Sequence, residues 1–479
     1  MLFNSFDFGL FLPIVFILYW ILGRKRIQGQ NLLLLGASYF FYGVWDWRFL
    51  LLILASSLVD FYAATYIAKA KTQKRKRLWL YGSLSWNLGV LFVFKYYNFF
   101  LDNLKSLFEL PENTFTTLDI IIPVGLSFYT FQTIGYTLDV YRKKIEPSQD
   151  LLKFLCFVSF FPQLVAGPIE RASKLLPQFS KQRTFKFDKA KDGLRQVLWG
   201  LFKKIVVADN IGVAVFAIYN HPENYGSLTI IYGAFLFLFQ LYADFSGYSD
   251  IAIGTAKLFG FDLSTNFKLP YLANSVTGFW QRWHITLSKW FQDYVYVPFV
   301  RWNTFNSLSK STKKVVGLLL TMGLIGLWHG ANWTYLAFGL LHGVLIILEG
   351  TTITSKGKKI KLYQWLETGV FWSKFYTVTF LVVSLIFFRA STLDKAVVML
   401  KEIVTQNIPF YEFDLIIDKK IIFLLLMIII EVWRKKYTHP FMNLEGVFPK
   451  IVRWSIYYFI IFAIIRYGRP QEEFIYFQF

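Results

Sequence analysis

Gly326-Leu327-Trp328-His329-Gly330-Ala331-Asn332-Trp333 sets one histidine among indoles and small residues in the middle of a strongly apolar run. No Asp, Glu, Lys or Arg occurs between Lys314 and Glu349. About 20 apolar helical residues cross a bilayer core of about 30 Å, so this run is long enough to lie within a membrane. An ionisable group at that depth is expensive to keep, which makes His329 a candidate functional residue. The alternative is a neutral, hydrogen-bonded packing histidine.

Composition extends that reading to the whole chain. Its 479 residues are 55% hydrophobic and 20% aromatic, and the mean hydropathy is positive. That is too apolar for a chain with one polar surface. The expected fold is therefore an all-α polytopic membrane bundle of about eleven spans, with re-entrant and interfacial helices. Lys plus Arg exceed Asp plus Glu by 51 to 30. Here the basic residues sit in loops between apolar runs, as the positive-inside bias produces, and nucleic acid is not the implied partner. One cysteine, Cys156, excludes an internal disulfide and a Cys-rich metal site. Leu10 to Leu22 lacks the basic flank and cleavage site of a signal peptide and is expected to stay as the first span.

Loop charge orients the rest. Arg24-Lys25-Arg26 and the cluster Lys69, Lys71, Lys74, Arg75, Lys76, Arg77 mark the inside, whereas 102–119 has one lysine among four acids and marks the outside. Asp119 to Leu138 carries Ser127, Tyr129, Thr130, Gln132 and Thr133, so it should line a cavity or pack tightly on other helices. Leu151 to Ala166 is short for a span and reads as re-entrant or interfacial. Leu198 to Tyr219 and Leu228 to Tyr242 read as a pair of spans joined by 220–227. Tyr242-Ala243-Asp244-Phe245-Ser246-Gly247-Tyr248-Ser249-Asp250 then brings two carboxylates to an expected helix end. Asp244 and Tyr248 can share a helical face, whereas Asp244 and Asp250 cannot. Two solvated or capping acids are the plainer reading there.

Between Lys268 and Lys314, residues Trp280, Trp283, His284, Leu287, Trp290, Phe291 and Tyr294 recur at spacings of three and four. They form one stripe, with Arg282, Thr286, Lys289 and Asp293 off it, so one amphipathic interfacial helix is expected. His284 falls on the apolar stripe and should face protein. His329 and His342, thirteen residues apart, cannot be a paired metal site unless the helix breaks at Gly330. Lys356, Lys358, Lys359 and Lys361 mark the inside again. Spans near 365–388, 421–433 and 451–465 complete the chain. The organisation is a single transmembrane domain: N-terminal spans over 1–150, a core with both histidine motifs over 151–350, and C-terminal spans over 351–479.

There is no His-Glu-x-x-His, Gly-x-x-x-x-Gly-Lys or Gly-x-Ser-x-Gly. Histidine remains as the candidate catalytic group, because neutral imidazole accepts a proton from a hydroxyl near working pH. Residues alone leave two alternatives open: base catalysis within the membrane, for which a thioester is a suitable metal-free electrophile, or proton-coupled transport or flipping of a lipid-linked sugar.

Phe279-Trp280-Gln281-Arg282-Trp283-His284-Ile285-Thr286-Leu287-Ser288-Lys289-Trp290 and the opening segment together resemble the two signature segments of the membrane-bound O-acyltransferase family, in its bacterial alginate O-acetyltransferase-like branch. Similar phrases stand at 164–169, 242–250 and Phe474-Ile475-Tyr476-Phe477-Gln478-Phe479. The resemblance implies a helical bundle around a tunnel, with His329 and His284 as catalytic histidines. It implies no bound cofactor and no metal, cytoplasmic acetyl-CoA as donor, an extracytoplasmic polysaccharide acceptor, and a bacterial inner-membrane location. A secreted or periplasmic SGNH-hydrolase-like acetyltransferase is the implied partner. Trp328, Asn332, Asp244, Tyr248 and Gln281 are candidates to support the site. Arg282 and Lys289 fit donor phosphates or, equally, lipid headgroups. Val297-Pro298-Phe299-Val300-Arg301-Trp302 departs from the Pro-Leu-Gly-Gly turn of alginate-type members, which leaves the acceptor open.

Overall fold

The computed structural model describes residues 1–22, 26–111, 114–118, 121–302, 308–355, 358–361, 370–405, 420–469 and 474–475. Arg24, Lys25, Asp119, Lys356, the start of the expected 365–388 span and residues 476–479 lie outside them. Two compact units organise the chain: Met1–Val197 with Ile251–Ser264, and Leu198–Asp250 with Thr265–Phe479.

The first unit is built on helices with one narrow inward stripe. In Arg48–Lys69 the buried residues include Phe49, Ile53, Ser56, Asp60, Ala63, Ala64 and Ile67, the spacing that keeps one face of a helix inward. Polar groups on such a face must find one another. Asp60 accepts hydrogen bonds from Ser83, from Asn87 Nδ2 at 3.1 and 2.9 Å and from Thr137 Oγ1 at 3.1 Å. The hydroxyl-rich segment becomes Leu126–Tyr141, and twelve of its residues are buried. Of the two expectations for it, tight packing is what occurs: Gln132 donates to Phe157 O at 2.7 Å and Thr133 Oγ1 to Asn87 Oδ1 at 3.2 Å. Gly125 starts this helix at φ 74°, with a would-be Cβ 2.5 Å from Leu164 O, so only glycine fits. Leu151–Ser159 and Phe161–Leu164 are short helices, in keeping with a segment that does not span.

The second unit holds both histidine motifs. Lys310–His329 and Trp333–Gly350 form a helical hairpin. It breaks at Gly330, which is extended at φ −169° and ψ 153°. Ser309 and Asn332 cap the two helices by accepting from Thr312 N and Thr334 N, each at 3.0 Å. The helices meet through small residues: a Cβ on Gly326 would stand 2.1 Å from Tyr335 O, and one on Gly339 2.2 Å from Met322 O. Backbones approach this closely only where side chains are absent.

Five helices among the described residues are long and apolar enough to cross a membrane: Arg48–Lys69, Ser227–Leu258, Lys310–His329, Trp333–Gly350 and Val370–Arg389. Phe6–Ile21 and Ile421–Trp433 are shorter apolar helices. The expected count of about eleven is therefore not reached on these criteria. Gln73–Leu91 opens with a run of cations that shortens its apolar part, and the expected Leu198–Tyr219 span is divided by a π-helical turn at Phe202–Ala208. Among the described residues, one short strand pair interrupts the otherwise helical chain. Thr352–Ser355 pairs antiparallel with Lys358–Lys361, Thr352 opposite Lys361.

Candidate active site

The expected single helix over 280–294 does not form. Val276–Trp280 ends, His284 turns left-handed at φ 39° and ψ 54°, and Ile285–Phe291 starts afresh. The reason lies on another strand of chain. Lys268 N donates to Arg282 O at 2.9 Å and Ile285 N to Asn266 O at 3.0 Å, so the loop before the motif supplies the hydrogen bonds that a helix would have made. The inward stripe nevertheless holds: Trp280, Trp283, His284, Leu287, Trp290, Phe291 and Tyr294 are all buried, while Gln281, Arg282, Lys289 and Asp293 are exposed; Thr286, expected off the stripe, is instead buried on Asn266. Gln281, Arg282 and Lys289 thus lie outward, away from the buried ring of His284.

Asn266 also decides the chemistry of His284. Its Oδ1 accepts from Thr286 N at 3.2 Å and Thr286 Oγ1 at 2.9 Å, and lies 3.2 Å from His284 Nδ1. A backbone N–H only donates, so this atom is the amide oxygen and the proton of neutral His284 sits on Nδ1. The basic lone pair is then on Nε2. His284 is fully buried and lies outside the five long apolar helices. Burial pushes its pKa down to about 3, so it stays neutral.

The two candidate histidines both pack against one indole. Trp328 lies 5.5 Å from the His284 ring and 5.0 Å from the His329 ring, centroid to centroid. His329 is the last residue of its helix, 3% exposed, with Phe388 against its ring at 5.0 Å. Asn332 is less central: besides capping, its Nδ2 donates to Ser391 O at 2.9 Å, which ties the hairpin to the 390s turn.

Asp244 and Tyr248 are not at a helix end. Ser227–Leu258 is one 32-residue helix, and both are buried within it. Buried lysines allow the acids there: Lys204 lies 2.7 Å from Asp244 and from Asp209, and Lys203 lies 2.6 Å from Asp250 and 3.6 Å from Glu431. Asp244 and Asp250, on different faces, accordingly meet different lysines. Asp244 Oδ2 also accepts from Ile475 N at 2.9 Å. The Phe474 ring stacks on Tyr248 at 4.7 Å and touches Phe245, which in turn sits edge-on to His284 at 4.7 Å.

Reading the sequence overlooked Lys203, Lys204 and Glu431, although the signal was present: charges inside the apolar runs 198–219 and 421–433. For His342 the sequence excluded a metal pair with His329 unless the helix breaks at Gly330; the helix does break there, yet His342 is held elsewhere. Trp280 Nε1 donates to His342 Nδ1 at 3.1 Å, and His342 Nε2 lies 3.0 Å from Ser384 Oγ, which donates to Leu381 O at 3.0 Å. Both nitrogens are engaged, so His342 is a brace and not a partner for His329. Glu349 adds a second brace by accepting from Val276 N at 2.7 Å and Thr277 N at 2.9 Å. No sequence pattern announced Asn266.

Residues 142–391 match the family model for membrane-bound O-acyltransferases. The chain is 37% identical over 401 residues to a probable alginate O-acetylase of Pseudomonas putida, covering 82% of this chain and 78% of that protein. It is 34% identical over 447 residues to a peptidoglycan O-acetyltransferase of Helicobacter pylori, covering 85% and 80%. A teichoic acid D-alanyltransferase of Bacillus subtilis is 29% identical over 279 residues, covering 56% and 68%. The matched region carries both histidine motifs, and with them the transporter alternative gives way to an enzyme: this multi-pass membrane protein belongs to the membrane-bound O-acyltransferase family.

Proposed function

We propose that this O-acyltransferase moves acetyl groups from cytoplasmic acetyl-CoA across the membrane for O-acetylation of an extracytoplasmic polysaccharide, either an alginate-like exopolymer or peptidoglycan. The single observation that carries the reading is the pair of buried histidines packed against the same indole, Trp328, with the Nδ1 proton of His284 held by Asn266. The alginate and peptidoglycan acetylases among the relatives support the acceptor class.

In the proposed reaction the His329 imidazole takes the proton of the acceptor hydroxyl. The hydroxyl oxygen forms a bond to the thioester carbonyl carbon and the carbon–sulfur bond breaks. The thiolate leaves and takes the proton from the imidazolium, so no net proton is consumed. His284, with its lone pair on Nε2, orients the thioester end or relays that proton, and Trp328 shapes the space between. Asp244 and Tyr248 support the site through Phe245 and Phe474, and the exposed Arg282 and Lys289 attract donor phosphates. An SGNH-hydrolase-like partner outside a bacterial inner membrane completes delivery, with about eleven transmembrane helices plus re-entrant and interfacial ones around a tunnel.

The test is acetyl transfer by the purified full chain supplied with acetyl-CoA and acceptor. His329→Ala is expected to lower the rate by about 10²-fold or more, the contribution of a positioned base. Full activity in a folded His329→Ala protein overturns the assignment, and intact acetyl-CoA with the unaltered protein overturns the donor.

A further inference from the structure

Helices Ile421–Trp433 and Lys450–Tyr467 both pack on the π-helical turn Phe202–Ala208. Between them lies a cavity of about 400 Å³ whose floor is Trp199, Phe202 and Phe441 and whose walls are almost wholly apolar. Two of its lining side chains, Trp433 at 57% and Phe459 at 49%, are exposed, so the cavity is set in a face suited to lipid chains.

Arg434 lines one end of this cavity and is 6% exposed. Its guanidinium donates to Pro440 O at 3.1 Å and to Met442 O, and lies 3.8 Å from the centre of the Tyr437 ring. Among the described residues no carboxylate pairs with it. The two acids nearest in sequence are engaged elsewhere: Glu431 with Lys203, Tyr242 and Tyr271, and Glu445 with Arg453 at 3.2 Å. A buried cation held only by carbonyls and ring faces still lacks a counter-charge. Around it the segment from Arg434 to Arg453 carries Lys435, Lys436 and Lys450 as well, against the single acid Glu445, and those three lysines are exposed.

We propose that this is a binding site for an anionic phospholipid, one acyl chain filling the cavity between the two helices and the phosphate lying at Arg434, Lys435 and Lys436. The apolar cavity accounts for the chain, and the unmatched positive charge at its end accounts for the headgroup. Basic pockets between membrane helices recognise anionic lipid in this way. The site stands apart from the histidines and does not depend on the acetyl-transfer reading.

The experiment uses the full chain, delipidated in neutral detergent, with phosphatidylglycerol, phosphatidylcholine or inorganic phosphate added, read by thermal unfolding midpoint and by lipid retained in native mass spectrometry. Phosphatidylglycerol is expected to raise the midpoint and to be retained, and the other two to leave it unchanged. K435Q/K436Q together should weaken phosphatidylglycerol binding about thirtyfold, at about 1 kcal/mol per surface charge. S455W, which fills the cavity and leaves the charges in place, should abolish retention. Equal retention of the two lipids, an equal effect of phosphate, or undiminished retention by S455W each overturns the site. The lysines are exposed, so the double variant keeps the test open even if S455W fails to fold.

Discussion

His342 shows how a histidine in an apolar helix becomes wholly structural: an indole donates to one nitrogen and the other faces a serine hydroxyl. Replacing it by Leu strands the Trp280 N–H in the interior, while the Ser384 hydroxyl keeps its bond to Leu381 O. A buried orphan costs about 1–3 kcal/mol, so H342L should lower the unfolding midpoint measurably while H342Q keeps part of the loss. His284 differs in being left-handed and held through one nitrogen by Asn266. Its folded pKa of about 3 lies below the unfolded value of about 6.5. The unfolded chain therefore binds the extra proton, and stability contributed by neutral His284 is present above pH 6.5 and lost as pH falls toward 3. The slope is about 1.4 kcal/mol per pH unit for one proton. Thermal unfolding between pH 7 and 5 should show a smaller acid loss for H284Q than for the unaltered chain; equal losses would mean that His284 does not titrate in this way.

At the scale of elements, the hairpin that carries His329 depends on glycine at three crossings. A Cβ at Gly326, Gly330 or Gly339 would stand 2.1 to 2.2 Å from Tyr335 or Met322 atoms. Forcing an added methyl into a packed interior costs about 1–3 kcal/mol, and here the neighbour at two of the positions is backbone and cannot rotate away. G326A and G339A should each lower the unfolding midpoint and, by moving the helix end, lower acyl transfer as well. A variant such as Gly9→Ala, where nothing lies within 4 Å of the new Cβ, is the control. The spacing of Trp280 to Tyr294 correctly identified the apolar side chains that point inward, because a stripe of burial needs only local periodicity, but it placed the buried Thr286 outward. It missed the break at His284, because the competing hydrogen bonds come from Asn266 and Lys268, which no window on the motif contains.

At the scale of the molecule, the second unit encloses two lysines among four carboxylates, Asp209, Asp244, Asp250 and Glu431. Removing one partner of such a pair leaves an unpaired buried charge, at about 3–5 kcal/mol. K204M should therefore destabilise the unit strongly, and K204M/D244N should recover part of the loss. Additive losses in that double-mutant cycle would show the pair to be uncoupled.

Composition and charge-free runs by themselves determined that this is a helical membrane protein, and the two histidine motifs carried its resemblance to the O-acyltransferase family with His284 and His329 as candidate groups, since apolar length and short motifs are written in neighbouring residues. Only the tertiary structure decided that both of those histidines pack on Trp328, which nitrogen of His284 holds its proton, that His342 is a brace, and that Asp244 is buried on Lys204 rather than solvated. Each of those depends on partners as many as some sixty residues away in the chain, and hydrogen-bond geometry and charge pairing are properties of that proximity in space.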